Sequence, residues 1–279
     1  MNKIIVLIFV LVGLCNAQEV SAVDTAWQKE AVGSLSFSQA NFDNWTSGGE
    51  NTLAYQADLN GKIIHNMSKS IWSNTGKIAY GNSKIGDAET KKTIDEIRIE
   101  SKLTYLLSFA ADPYFLIKGE TQLTPGYKYD GDTKTQVSGF LDPGYFIQSA
   151  GMSYAPLEEL LIRAGLALKE TITQDYPAPY ADDPETNDIE KIKIEPGLES
   201  AFTLSKKLGE KTIFNSSLEF FNSFTGFDAT DTRWDLDLTT QLAKYINIKF
   251  NAKLFYDKDI SKKRQLNQSV LVGILYTFI

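Results

Sequence analysis

From residue 96 to residue 105 charged and apolar side chains alternate. Glu96, Arg98, Glu100, Lys102 and Thr104 lie on one face, and Ile97, Ile99, Ser101, Leu103 and Tyr105 on the other. Successive side chains of a β-strand point to opposite faces, so such a segment sits between two different environments. The pattern recurs. In 160–171, Leu160, Ile162, Ala164, Leu166 and Leu168 oppose Arg163, Lys169 and Thr171. In 233–242, Trp234, Leu236, Leu238 and Leu242 oppose Arg233, Asp235, Asp237 and Gln241. In 246–256, Ile248, Phe250, Leu254 and Tyr256 oppose Asn247, Lys249, Asn251 and Lys253. Helical periodicity is nearly absent.

About twelve such segments are present, each close to the ~10 residues that a tilted membrane strand needs. They are 31–40, 52–65, 69–80, 94–106, 114–124, 136–154, 160–172, 191–205, 211–222, 232–243, 245–256 and 268–278. The sixth is long and contains Pro143, so it bends or begins later. The connections alternate in length. Residues 41–51, 81–93, 125–135, 173–190, 223–231 and 258–267 are long, whereas 66–68, 155–159, 206–210 and the link near Lys244 are short. Outer-membrane barrels have short periplasmic turns and longer outer loops. Aromatics fall at both strand ends: Trp72, Tyr105, Tyr114, Tyr154, Tyr245 and Tyr276 beside the short turns, Tyr80, Tyr127, Trp234 and Tyr256 opposite. Two such belts are expected at the lipid boundaries. The expected fold is all-β: a closed antiparallel up-and-down transmembrane β-barrel of about 12 strands.

The first seventeen residues suit export to that location. Lys3 precedes an apolar run from residue 4 to 14, then Cys15-Asn16-Ala17. This is a signal peptide pattern, too short to cross a bilayer as a helix of ~20 residues. A cut after Ala17 is expected. Lipidation at Cys15 is the alternative, although Leu14 stands where Gly, Ala or Ser usually precedes such a cysteine. The expected division is a signal peptide at 1–17, a periplasmic lead at 18–30 and a barrel at 31–279. Cutting after Ala17 removes the only cysteine and leaves 27 basic against 35 acidic residues. That leaves no disulfide or thiolate metal site, and the acidic balance argues against a nucleic-acid partner. The last segment carries Val270, Val272, Ile274, Tyr276 and Phe278 on one face, as a final barrel strand does, with Ile279 after the aromatic.

Several stretches carry a family resemblance. They are Phe37-Ser38-Gln39 with Phe42, Asn44-Trp45, Gly48-Gly49-Glu50-Asn51-Thr52, Tyr80-Gly81, Lys92-Thr93-Ile94-Asp95, Thr121-Gln122 and Pro125-Gly126-Tyr127. The chain resembles, over roughly 32–278, an uncharacterised domain-of-unknown-function family (number 3078) of Bacteroidetes-type, Gram-negative bacteria. The resemblance implies an outer-membrane barrel and carries no catalytic residues.

The charged face supplies the candidate site. Arg98, Glu100, Lys102, Lys118, Glu120, Arg163, Lys169, Lys193, Glu195, Glu199, Asp235, Asp237, Lys249 and Lys253 are expected to line the lumen. Opposite charges on neighbouring strands stabilise one another, and pairing around Lys244 would set Asp235 opposite Lys253. An internal salt-bridge network is favoured over a catalytic carboxylate pair of the glycosidase kind. The single histidine, His65, is expected as a solvated turn residue away from the lumen, which argues against hydrolase chemistry. No cofactor or metal is expected. Asp182, Asp183, Glu185 and Asp188 lack regular calcium-ligand spacing. The expected function is a small polar pore or transport-related barrel rather than an enzyme. The alternatives are a barrel that binds a surface partner through loops carrying Trp45, Tyr127, Tyr129, Phe224 and Phe227, and, lower, a membrane-embedded hydrolase. Expected partners are outer-membrane lipid and a small polar solute or surface partner; oligomeric state is not fixed.

Overall fold

The structure, a computed structural model, describes residues 27–279 except 44–45, 108–109, 132, 184–185 and 226–229. The expected signal peptide, residues 18–26 of the lead, Trp45, Glu185 and Phe227 lie outside the described residues. Fourteen strands are described: β1 (Trp27–Ala40), β2 (Thr52–Asn66), β3 (Ser70–Ile85), β4 (Lys91–Tyr105), β5 (Asp112–Thr121), β6 (Gly126–Asp130), β7 (Thr133–Ser138), β8 (Gly144–Leu157), β9 (Leu160–Ile172), β10 (Ile192–Lys207), β11 (Thr212–Ser223), β12 (Thr230–Gln241), β13 (Ile246–Tyr256) and β14 (Gln265–Thr277). Twelve of them close into an antiparallel barrel in the order β1-β14-β13-β12-β11-β10-β9-β8-β5-β4-β3-β2, and β6 and β7 form a separate hairpin. Consecutive barrel strands are neighbours, and the seam between β1 and β14 joins the first and last of the described strands.

The distribution of side chains is inverted relative to a soluble protein. Nineteen polar or charged residues are buried against eight apolar ones, while large apolar residues such as Ile99, Leu166, Val270 and Ile274 are exposed. In soluble domains Lys, Glu and Arg are almost never buried unless paired. Here Glu195 and Glu199 are buried while Ile194, Leu198 and Phe202 beside them on β10 are exposed. The outside of the ring is the apolar side. Its rims carry Trp72, Tyr105, Tyr154, Tyr245 and Tyr276 at one end and Trp234 at the other, all exposed.

Several details differ from the sequence expectation. β1 starts at Trp27 and pairs with β2 from Trp27↔His65 onward, so residues 27–30 are strand and not lead. His65 is not a solvated turn residue. It lies within β2 and its ring stacks on Trp27 at 4.1 Å, on the outward face at the short-turn rim. The sixth barrel strand begins at Gly144. Residues 133–138 belong instead to the hairpin in the loop before it, with Gly139 and Asp142 bridging ahead of Pro143. The 81–93 connection shrinks to 86–90 because β3 and β4 extend above the belt as a polar ladder.

Two glycines decide how the lumen packs near the short-turn end. Gly151 and Gly165 face each other across β8 and β9. A methyl at Gly165 would stand 2.5 Å from the Ala150 carbonyl and 2.8 Å from the Tyr114 hydroxyl. Their bareness lets the Tyr114 side chain reach along the wall past β8 and β9 to Glu199 on β10. Tyr114 therefore does not join the lipid belt predicted for it; it is buried inside. It shares the parity of Leu116, Lys118 and Glu120, all of which face inward.

Candidate functional site

All fourteen residues singled out from the alternation take the inward parity of their strands. What alternation alone does not give is which of them meet across the lumen. β4 and β12 lie diametrically opposite in the ring, and their side chains touch. Arg233 on β12 donates from Nη1 to both oxygens of Glu120 on β5 at 2.6 Å, from Nη2 to Glu96 on β4 at 2.7 Å, and from Nε to Asp235 at 2.8 Å. Arg98 reaches back from β4 to Asp235 at 3.2 Å and lies 3.3 Å from Glu120. Lys253 on β13 donates to Glu96 at 2.8 Å, and Lys77 on β3 approaches it at 3.5 Å. Asp235 and Lys253 are register partners, as the Lys244 turn predicts, with carboxylate and ammonium 3.8 Å apart. The result is an ionic bar across a diameter of the barrel.

The bar divides the outer part of the lumen. On the side of β8 to β11 is a cavity of about 270 Å³ whose lining includes Tyr145, Ile147, Phe221 and Phe255 as well as Lys118 and Lys169. On the side of β2, β3 and β14 is a cavity of about 360 Å³, lined by Gln56, Lys77, Glu96, Asp235, Asn251 and Ser269 among others.

Smaller clusters fill the rest. Glu199 accepts hydrogen bonds from the Tyr114 hydroxyl at 2.8 Å and the Ser149 hydroxyl at 2.6 Å, with Arg163 Nε 3.4 Å away. Arg163 also stands 3.8 Å from Glu100 and from Glu219, and Lys118 donates to Glu219 at 2.6 Å. Lys169 donates to Asp231 at 2.6 Å and to Asp257 at 3.2 Å, with Glu195 at 3.6 Å. Lys193 pairs with Glu195 and Asp259. Lys249 crosses β14 and β1 to donate to Asp58 at 3.4 Å, and is 4.0 Å from Asp237. Lys102 has no ion-pair partner among the described residues. Taking charges out of water is costly, and the buried Lys118, Arg163, Lys169, Glu195 and Glu199 each have an opposite charge within 4.0 Å.

The candidate set omits eight residues the network uses: Lys77, Glu96, Asp58, Glu219, Asp231, Arg233, Asp257 and Asp259. Glu96 and Arg233 were within reach of the sequence, since both continue the charged face of a segment already recognised. Asp58 shares the alternating polar face of Gln56, Asn60 and Lys62 and was within reach too, whereas Asp257 follows the last residue of β13.

The outer loops are also built. Asp142, buried, accepts the backbone N–H groups of Asp175 at 2.7 Å and Gln174 at 2.9 Å, pinning the acidic loop to the mouth of the barrel. Within that loop the Thr186 hydroxyl donates to Glu190 at 2.6 Å and, with the Asp183 N–H, holds its carboxyl below the usual range. Lys134 ties the β6–β7 hairpin to Glu89 and lies over the ring of Tyr127, which is therefore part of the hairpin and not of a lipid belt. Asp142→Ala is expected to free the 173–191 loop, at a cost of about 1–3 kcal/mol for the backbone donors left without an acceptor. Limited proteolysis should then cut that loop faster while the barrel stays intact; an unchanged rate would contradict the clamp.

A ring of strands closed by its own backbone pairing, with an apolar, exposed outside and a charged inside, suits hydrocarbon, not water. The protein is an outer-membrane β-barrel. Residues 37–127 match the family model described as "Protein of unknown function (DUF3078)". Among solved structures, the translocator domain of the autotransporter NalP from Neisseria meningitidis is similar at 12% identity and a TM-score of 0.43, covering 92% of this chain and 89% of that one. An outer membrane channel from Pseudomonas putida F1 is similar at 11% identity and a TM-score of 0.42, covering 93% and 100%. The NanC porin is similar at 8% identity and a TM-score of 0.41, covering 90% and 100%. The comparison with curated proteins gave no match. Fold and membrane placement rest on the barrel's own geometry.

Proposed function

We propose that this barrel is a narrow, charge-lined conduit for small polar solutes, a non-enzymatic protein of the outer membrane of a Bacteroidetes-type bacterium. The observation that carries the proposal is the ionic bar through Arg98, Glu96, Glu120, Arg233 and Asp235, with a cavity on each side. A bar of this kind leaves two restricted paths in place of one wide bore. Barrels between the filled eight-stranded type and the sixteen-stranded porins have room for such an arrangement. The non-enzymatic reading is supported by the position of His65 on the outward face at the short-turn rim and by the cations that engage the buried lumenal carboxylates.

In planar bilayers the folded protein is expected to give small, steady conductance steps. Arg233→Ala unties the bar and leaves Glu96, Glu120 and Asp235 facing the path. That variant should give larger steps and prefer cations. Folded protein with no conductance in either form would reject the conduit.

A second reading, docking of a surface partner, is favoured by apolar side chains held outward on clamped loops: Phe140 is 59% and Ile189 70% exposed. Deleting 173–190 should then abolish surface binding, and unchanged binding would exclude that loop.

A further inference from the structure

The ring of strands is not closed equally along its height. At the seam, β1 and β14 pair from Val32↔Thr277 to Phe37↔Val272, with Ala31 bonded to Phe278 and Ile279 at the short-turn end. Both strands continue beyond the Phe37↔Val272 pair. β1 runs on to Ala40, paired with β2 alone, and β14 extends back to Gln265, paired with β13 alone. Among the described residues no backbone pairing joins 38–40 to 265–271. The open edge lies at lipid depth. Val270 and Leu266, both exposed, are in register with Phe250 and Leu254 on β13, and through them with Leu238 and Trp234 on β12.

Unpaired backbone N–H and C=O groups are not tolerated against hydrocarbon; they persist only where they line a polar space. The larger lumenal cavity is that space. It is lined on one side by Asn267, Gln268, Ser269 and Leu271 of β14 and on the other by Ala54, Tyr55 and Gln56 of β2, so it lies directly inside the gap. Its wall carries carboxylates from Asp95, Glu96, Glu120, Asp235 and Asp237 and the ammonium groups of Lys77 and Lys253, while Lys92, Arg98, Arg233 and Lys249 engage the same carboxylates from outside that wall. Two buried acceptors in it, Asp235 Oδ1 and Asn251 Oδ1, have no hydrogen-bond donor. The cavity therefore suits a group that brings positive charge and N–H donors.

We propose that the outer half of the β1–β14 seam is a lateral portal through which an amphipath with an ammonium head and an alkyl chain passes between the outer leaflet and this cavity. The head meets Asp235 and Asn251. The chain lies in the gap between Ser38 and Leu271, continuous with the lipid-facing wall. The portal stands on the seam and not on conduction.

The test uses the folded barrel in phosphatidylcholine vesicles carrying phosphatidylethanolamine with a photoreactive diazirine on its acyl chain. After irradiation, covalent adducts are expected on the inward residues Ser269 and Leu271 as well as on the outward Val270 and Val272. Gln39 and Val270 are the next outward register partners beyond the last pair. A Gln39→Cys/Val270→Cys variant closed by a disulfide, or by a short bismaleimide if oxidation leaves the thiols free, should lose the adducts at 269 and 271. It should keep those at 272, and reduction of the disulfide should restore the lost ones. The same diazirine carried on phosphatidylcholine, whose head has no N–H, should label 269 and 271 several-fold less. Adducts confined to outward residues in the wild type would overturn the proposal, as would inward adducts that survive closure. Equal inward labelling by both lipids would overturn the assigned head site. Inward adducts without conductance would reject the conduit and leave the portal; conductance without inward adducts would do the reverse.

Discussion

Glu96→Ala is expected to lower the unfolding free energy of the barrel by about 3–5 kcal/mol, the range for breaking a buried ion pair by removing one partner. It should also turn the conductance toward anions. Glu96 is 3% exposed and stands where Arg98, Arg233, Lys253 and Lys77 converge within 3.5 Å. No other carboxylate among the described residues gathers four cations. Its removal leaves Arg233 with Glu120 and Asp235, but Lys77 loses its ion-pair partner and Lys253 keeps only Asp235 at 3.8 Å. Denaturant titration in vesicles reads the stability, and reversal potential under a salt gradient reads the selectivity. Arg233→Ala should shift selectivity the opposite way. A change of the same sign in both variants would show that the bar does not face the conducting path.

The second large effect lies on the other face. Leu166→Arg should cost about 2–4 kcal/mol, the price of a cation on the lipid side of a barrel near mid-depth. Leu166 is 62% exposed, and an Arg there would be harmless if the exposure were to water. Its neighbours along β9, Arg163 and Lys169, are buried cations whose carboxylate partners face them from other strands. One strand thus carries the two opposite rules three residues apart. A Leu166→Arg barrel as stable as the wild type in vesicles would contradict the assignment of that face.

Most of the fold was legible because alternation is a local signal. The charged faces of 96–105, 160–171, 233–242 and 246–256 each fall inside a single barrel strand, and the short turns fix their order around the ring. The cross-lumen contacts were not legible. Whether Arg233 meets Glu96 or Glu199 depends on the stagger of the strands, a property of the closed ring and of no segment in it. Tyr114 was misplaced because its position at a strand end was weighed above its parity, which it shares with Lys118 and Glu120. The hairpin in the 122–143 loop was hidden because 133–138 alternates like a barrel strand yet pairs only with 126–130. Ser83 and Lys91 pair above the belt, where a strand has no apolar face to reveal it.

The most direct test of the alternation is to carry a nitroxide one position at a time from residue 97 to residue 104 on β4, in reconstituted vesicles. Collision with oxygen, which concentrates in hydrocarbon, should peak at 97, 99, 101 and 103. Collision with a water-soluble nickel chelate should peak at 98, 100, 102 and 104. Oxygen peaks at the even positions, or no period of two, would contradict the barrel described here.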